Sequence, residues 1–169
     1  MTGAWEGRAW VFGDDIDTDV MFPGKALRLP IEEGAQLAFD GVRPGWAALA
    51  RPGDVVVGGA NFGTGSARPV AAVLKHLGVR ALFAETMSSL FQRNAVNAGV
   101  LAMSLPGVTA LFADGDPVRV AVEDGSLTNV RSGRSLALPA LPPMLTAVIE
   151  AGGLIAQLRR DGFLPPLEG

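Results

Sequence analysis

The chemistry-bearing residues of this chain concentrate in one stretch, Asn61-Phe62-Gly63-Thr64-Gly65-Ser66-Ala67-Arg68, which combines glycines, hydroxyls and a guanidinium. It follows the apolar run DVVVGG at 54–59 and precedes the amphipathic run ARPVAAVLKHLG at 67–78, a strand–turn–helix pattern. A turn that opens a helix exposes unpaired N–H groups and about half a positive charge, so it attracts anions. The glycines allow a ligand close to the backbone, and Arg68 adds a fixed cation suited to bidentate carboxylate binding. In this reading Ser66 sits at or just before the helix N-cap, where the field favours loss of its hydroxyl proton and so activates it. The same spacing is explained equally well by a tight turn with Ser66 as a plain cap.

Several named motifs are excluded. A Walker A loop needs a Lys after its second glycine, and none is present; a dinucleotide fingerprint needs a small residue where Arg68 stands. G-x-S-x-G is absent, and the single histidine, His76, lies on the following helix, so a serine hydrolase lacks its base. Asp15, Asp17 and Asp19 alternate like a calcium loop, but the required Gly and Glu are replaced by Val20 and Ala26. These aspartates read either as Asx-turns and a cap, or as a source of one carboxylate that orients a serine or arginine at the mouth of a sheet. Lys25 and Arg28 are either solvated surface cations or a clamp on an acidic substrate. Arg93, Asn94 and Asn97 read as the polar face of a helix.

The elements that must position these residues follow from the hydrophobic pattern. EGRAWVF at 6–12 suits a short strand, and residues 31–40 read as a helix after an irregular Pro/Gly-rich loop. From 54 to 105 the pattern is βαβαβ with short connections, which argues an α/β fold with a parallel core and right-handed crossovers. PVRVAVEDGSLTNVRSGRSLAL at 117–138 reads as antiparallel strands turning at Asp124-Gly125 and Ser132-Gly133. A helix follows Pro139–Pro143, Gly152-Gly153 splits off a second, and residues 162–169 form a loose tail. With 169 residues, 49% of them apolar, the expectation is one unit over 1–169.

Composition narrows the function classes. Lys and Arg total 14 against 17 Asp and Glu, a net charge of −3 that gives no electrostatic footprint for nucleic acid. The charged fraction of 18% implies a thinly charged surface or one covered by another chain. With no Cys and one His, no metal site is expected, and any redox metal must come from a partner. No run reaches the roughly 18 apolar residues of a membrane span, and the N-terminus lacks signal-peptide patterning; the expected compartment is the cytoplasm.

The run GDDIDTDVMFPGKAL at 13–27, GGANFGTGSAR at 58–68 and the helix–strand pattern through Gly99 together resemble the small subunit of 3-isopropylmalate dehydratase and homoaconitase, the swivelling domain of the aconitase superfamily. The likeness runs from Gly7 to about Arg160. It implies a swivelling β/β/α domain and a hydro-lyase that isomerises a hydroxy di- or tricarboxylate by dehydration and rehydration, in amino-acid biosynthesis such as that of leucine. It also implies that this chain binds no cofactor and works with a large subunit carrying a [4Fe–4S] cluster, contacted around 13–30 and 61–68; without that partner the chain could associate with itself.

By position, the resemblance makes Ser66 the base that takes the proton α to a carboxylate, and makes Arg68 the arginine that holds the carboxylate and stabilises the alkoxide. Asp17, Thr18 and Asp19 match the D-T-D turn packed beside that serine, with Asp19 the third catalytic candidate. Gly65, Ala67, Thr18, Lys25 and Arg28 are the implied substrate-binding residues. Arg28 stands where the family distinguishes an isopropyl group from a distal carboxylate, and a guanidinium argues for the acidic arm. The chain departs from the usual S-S-R-E-H at Ala67, Pro69 and Val70, and has Thr64 for the commoner Cys. These departures imply a shifted substrate, or else a noncatalytic carboxylate-binding or regulatory module derived from the subunit.

Overall fold

A computed structural model describes residues 3–65 and 68–166. In chain order the elements are β1 (Trp5–Val11), α1 (Thr18–Met21), a 3-10 turn (Gly24–Arg28), α2 (Ile31–Ala35), α3 (Trp46–Leu49), β2 (Val55–Gly58), α4 (Val70–His76), β3 (Ala81–Ala84), α5 (Ser89–Asn97), β4 (Leu101–Ser104), α6 (Val108–Leu111), β5 (Pro117–Ala121), β6 (Ser126–Asn129), β7 (Ser135–Ala137), α7 (Pro143–Glu150) and α8 (Leu154–Arg160). The strands form one sheet in the order β4-β3-β2-β1-β5-β6-β7. β1 to β4 are mutually parallel, β1 joins β5 antiparallel, and β5 to β7 are antiparallel neighbours.

Period-two alternation splits the apolar residues between the two faces of the sheet. Val56 and Leu82 join one cluster with Trp10, Phe39, Trp46, Leu74 and Phe91. Val55, Val57 and Phe83 join the other with Trp5, Leu127 and Val148. Both faces of the parallel strands are therefore covered, which is why β2 and β3 are uninterrupted apolar runs buried at every residue.

The βαβαβ core and the C-terminal antiparallel strands stand as the sequence indicates, with β1 the central strand that joins the two halves. Both anticipated hairpin turns fall between antiparallel strands, at Gly125 (φ 62°) and Gly133 (φ 73°). α7 and α8 flank Gly152-Gly153 as expected.

Two expectations need correction. The helix read over 31–40 ends at Ala35. Phe39 takes φ 58°, and its ring enters the core, stacked 4.1 Å from Phe12 and edge-on to Trp46 at 4.9 Å. An aromatic cluster worth about 0.5–1.5 kcal/mol per pair outweighs one more helical turn. The second correction concerns the glycine-rich turn. α4 begins at Val70 with Pro69 at its N-cap and no side-chain cap bond, rather than at residue 67; Ser66 lies outside the described residues. Proline disfavours helical backbone in the residue before it, so Arg68 cannot extend the helix backwards. The four-residue helices α3 and α6 had no sequence signal, being shorter than any periodicity window.

Candidate active site

Because β1, β2 and β3 are parallel, the loops after them leave the same sheet edge, where open α/β sheets bind ligands. The β1–β2 ladder continues past the strands: Phe12 N–H donates to the Val57 carbonyl at 2.8 Å and Gly59 N–H to that of Gly13 at 3.1 Å. Gly63 N–H then donates to Ile16 O, and Thr18 N–H to Thr64 O, each at 2.8 Å. The acidic loop and the glycine-rich turn are thus laced along their length.

Two glycines of that turn are required by geometry. Gly63 has φ 74°, and a Cβ there would lie 2.3 Å from the Phe91 ring; Gly65 has φ 104°, and a Cβ would meet the Thr18 hydroxyl at 2.9 Å. Phe62 is fully buried, edge-on to Phe91, and anchors the turn against α5.

The acidic loop presents one carboxylate to the arginine. Asp17 caps α1, accepting from Val20 N–H at 2.8 Å, which puts Asp19 in the first turn of that helix. Arg68 Nε lies 2.7 Å from Asp19 Oδ1, with side chains 16% and 59% exposed respectively. Arg68 Nη1 donates to the Phe22 carbonyl at 2.8 Å. The guanidinium is held from two sides by the segment following β1, and its plane is thereby fixed at the open edge of the sheet. Arg68, Thr18, Gly63, Gly65, Leu90, Phe91 and Asn94 line a small cleft there.

Of the residues singled out from sequence, Thr18, Asp19, Gly65 and Arg68 converge at this edge. Ser66 and Ala67 lie outside the described residues. Lys25 and Arg28 are exposed on the 3-10 turn, while Ala26 between them is buried; the turn therefore points its cations outward. Val70, a departure from the family pattern, is buried in the core, so its apolar side chain serves packing. His76 is exposed at the far end of α4. The Phe22 carbonyl and Asn94 were not anticipated as site groups. The helical spacing of Leu90, Phe91 and Asn94 could have placed Asn94 beside the turn, whereas a backbone carbonyl leaves no sequence signal.

The shifted titrating groups lie elsewhere. Burial works against charge on Glu85, but the Thr109 hydroxyl and the N–H groups of Gly107 and Thr109 outweigh it and hold the carboxyl below its usual range. Asp116 is held low by the Ala113 N–H, then by the Asn129 amide, with Arg131 adding a charge. Burial lowers the Arg80 pKa, and its guanidinium lies 4.2 Å from the Trp5 ring centre. None of the three lines the Arg68 cleft; Glu85 follows β3 on the same sheet edge and fastens the loop after it to the segment after β4.

No helix of the described residues is long and apolar enough to cross a membrane.

The architecture and the glycine-rich turn define a class: residues 51–107 match the aconitase C-terminal domain family. A crystal structure of 3-isopropylmalate dehydratase from Methanocaldococcus jannaschii superposes with a TM-score of 0.85 at 30% identity, covering 94% of this chain and 95% of that one. The 3-isopropylmalate dehydratase small subunit 1 of Methanopyrus kandleri is 40% identical over 92% of this chain and 93% of its own length. The methanogen homoaconitase small subunit of Methanothermobacter thermautotrophicus is 40% identical over 92% and 91%, and the isopropylmalate/citramalate isomerase small subunit of M. jannaschii is 36% identical over 92% and 94%. The chain belongs to the 3-isopropylmalate dehydratase small-subunit family, hydro-lyase subunits of the aconitase superfamily.

Proposed function

We propose that this chain forms one wall of an active site completed by a large iron–sulfur subunit in the cytoplasm, where the pair dehydrates and rehydrates a hydroxy di- or tricarboxylate. The observation that carries the reading is Arg68, held by Asp19 and the Phe22 carbonyl at the exposed end of the parallel strands. A guanidinium fixed in this way is prepared for a carboxylate before substrate arrives, so little ordering cost remains at binding.

In this mechanism Ser66, two residues before Arg68, takes the proton from the carbon α to the substrate carboxylate and returns a proton on rehydration. Serine is far too weak a base at neutral pH unless its alkoxide is stabilised. The Arg68 guanidinium supplies that stabilisation, and since α4 starts only at Val70, the helix end contributes less than the arginine. Asp19 orients Arg68, while Gly65 leaves room for the acid and Thr18 supports Gly65 from beneath. The small residue Ala67 replaces a hydroxyl of the family pattern and so fits a substrate with one fewer polar contact there.

The [4Fe–4S] cluster in this reading belongs to the large subunit, since this chain has no Cys to supply thiolate ligands; it would polarise the substrate hydroxyl for departure. The relatives' names span isopropylmalate, homoaconitase and citramalate activities, so the fold accommodates several side arms. The guanidinium of Arg28, exposed with Lys25 on the 3-10 turn, favours an acidic arm and a tricarboxylate substrate. Nucleic acid and membranes are not partners in this account.

The test is Ser66→Ala in the assembled two-chain enzyme. Loss of the base should lower turnover by about 10²- to 10⁴-fold with the melting temperature unchanged. Near-parental turnover would reject Ser66 as the base.

A further inference from the structure

α5 packs directly on the glycine-rich turn, and its place there is fixed at several points. Ser88 N–H, just before the helix, donates to the Phe62 carbonyl at 2.9 Å. The Phe62 and Phe91 rings meet edge-on with centres 5.9 Å apart, and Gly63 lies so close to Phe91 that no Cβ fits between them. Asn94 follows Phe91 by three residues and Leu90 by four, the spacing that puts side chains on one helix face. All three line the cleft that contains Arg68. The adjoining depression, walled by Pro69, Ala71 and Ala72, again includes both Arg68 and Asn94. The two polar side chains thus reach one opening from separate supports, Arg68 held by the segment after β1 and Asn94 carried by α5.

The fold itself does not require asparagine at 94. Asparagine is a poor helix former, because its short side chain competes for nearby backbone groups. Here the side chain is half-buried, and among the described residues its amide makes no hydrogen bond. Beside a guanidinium, that amide offers an anion an N–H2 donor. Arg68 has Nε beside Asp19 Oδ1 and one Nη1 hydrogen on the Phe22 carbonyl, which leaves Nη2 and the second Nη1 hydrogen for a ligand. A carboxylate has about four lone-pair sites, more than these three N–H groups fill. We infer that Asn94 is a second substrate-binding residue, its amide donating to the carboxylate that Arg68 holds. The inference rests on the reading of Arg68 as the carboxylate holder; it does not depend on which residue takes the proton.

Two substitutions in the assembled two-chain enzyme test it. Asn94→Ala removes the donor and should raise KM by about 10- to 100-fold. Its kcat should stay within about threefold of the parent, because a bond made equally to bound acid and transition state affects binding alone. Asn94→Asp keeps the shape but sets a negative charge against the carboxylate, so its kcat/KM should fall at least about tenfold below that of Asn94→Ala. A residue that only packs would give the reverse order. Asn94→Ala should melt no lower than the parent, since alanine is the better helix former, and the two chains should associate as before. Arg68→Ala is the reference. If it loses kcat/KM while Asn94→Ala keeps KM within about twofold of the parent, the role of Asn94 is overturned and that of Arg68 stands. An aspartate variant no worse than the alanine one, or a KM rise that tracks weaker association of the chains, overturns it equally. If neither Arg68→Ala nor the Asn94 variants weaken binding of the acid, the reading of this cleft as a carboxylate site fails as well.

Discussion

Two aspartate–arginine pairs stand at opposite ends of β2, and they are built differently. At the N-terminal end Asp54 has a side chain 2% exposed, and its oxygens accept from Arg8 Nη2 at 2.8 Å, Trp10 Nε1 at 2.7 Å, and the N–H groups of Arg51 and Arg8 at 3.0 and 3.1 Å. At the C-terminal end Asp19 is 59% exposed, its Oδ1 2.7 Å from Arg68 Nε. The first carboxylate is saturated and ties β1, β2 and the turn before β2 together. The second leaves its arginine orientated and its surroundings open. The contrast teaches that residue types alone do not separate a buried, structural pair from one open to a ligand; the access of solvent does.

The comparison can be broken from either end. The largest effect is expected at the open pair: Arg68→Ala should lower kcat/KM by about 10²- to 10³-fold, measured in the reconstituted enzyme, with only a small change in urea midpoint. At the closed pair the outcome should invert. Asp54→Ala leaves the buried Trp10 N–H without its acceptor and Arg8 with only the Leu49 carbonyl, and unfolding free energy should fall by about 1–3 kcal/mol, while kcat per folded, assembled molecule is retained. Equal stability losses at the two sites would erase the distinction.

A smaller effect is expected from Arg28→Val, which should shift the kcat/KM ratio from a tricarboxylate towards an apolar-armed malate by about 10-fold. An unchanged ratio would mean the 3-10 turn does not read the side arm.

The smallest effect belongs to two carboxylates outside the Arg68 cleft. Asp116 and Glu85 are held below the ordinary carboxylate range, so the stability they confer is complete above their unfolded pKa values, about 4, and is lost as pH falls through the lower folded values. The stability difference between the parent and Asp116→Asn, read by urea unfolding, should accordingly shrink below about pH 4. A difference that grows on acidification would contradict the assignment.

Much of this arrangement is legible in the residues. Short apolar runs bounded by glycines indicate β2, β3 and β4, and glycine-centred polar turns indicate the hairpins of β5 to β7, because these signals are local. The end of α2 is set by Phe39 entering a core built from Phe12 and Trp46, which no window around residues 31–40 contains. The start of α4 at Val70 is legible in Pro69, which fits a helix's first turn and disfavours helical backbone at Arg68. At the site, Asp19 and Arg68 are separated by the whole β2 segment; the residues suggest only that some aspartate of the acidic turn orients a serine or arginine, and the choice of Asp19 and Arg68 comes from the family resemblance. The saturation of Asp54 by three segments had no signal at all, since it depends on parallel pairing of β1 with β2.

Reconstitution with the large subunit tests most directly whether the Arg68 edge is half of an active site. The account predicts no hydro-lyase turnover by this chain alone, turnover of isopropylmalate, homocitrate, citrate or a short methylmalate by the pair, and its loss in Ser66→Ala without loss of association. Turnover by the isolated chain, or a stable pair whose rate ignores both Ser66 and Arg68, would contradict it.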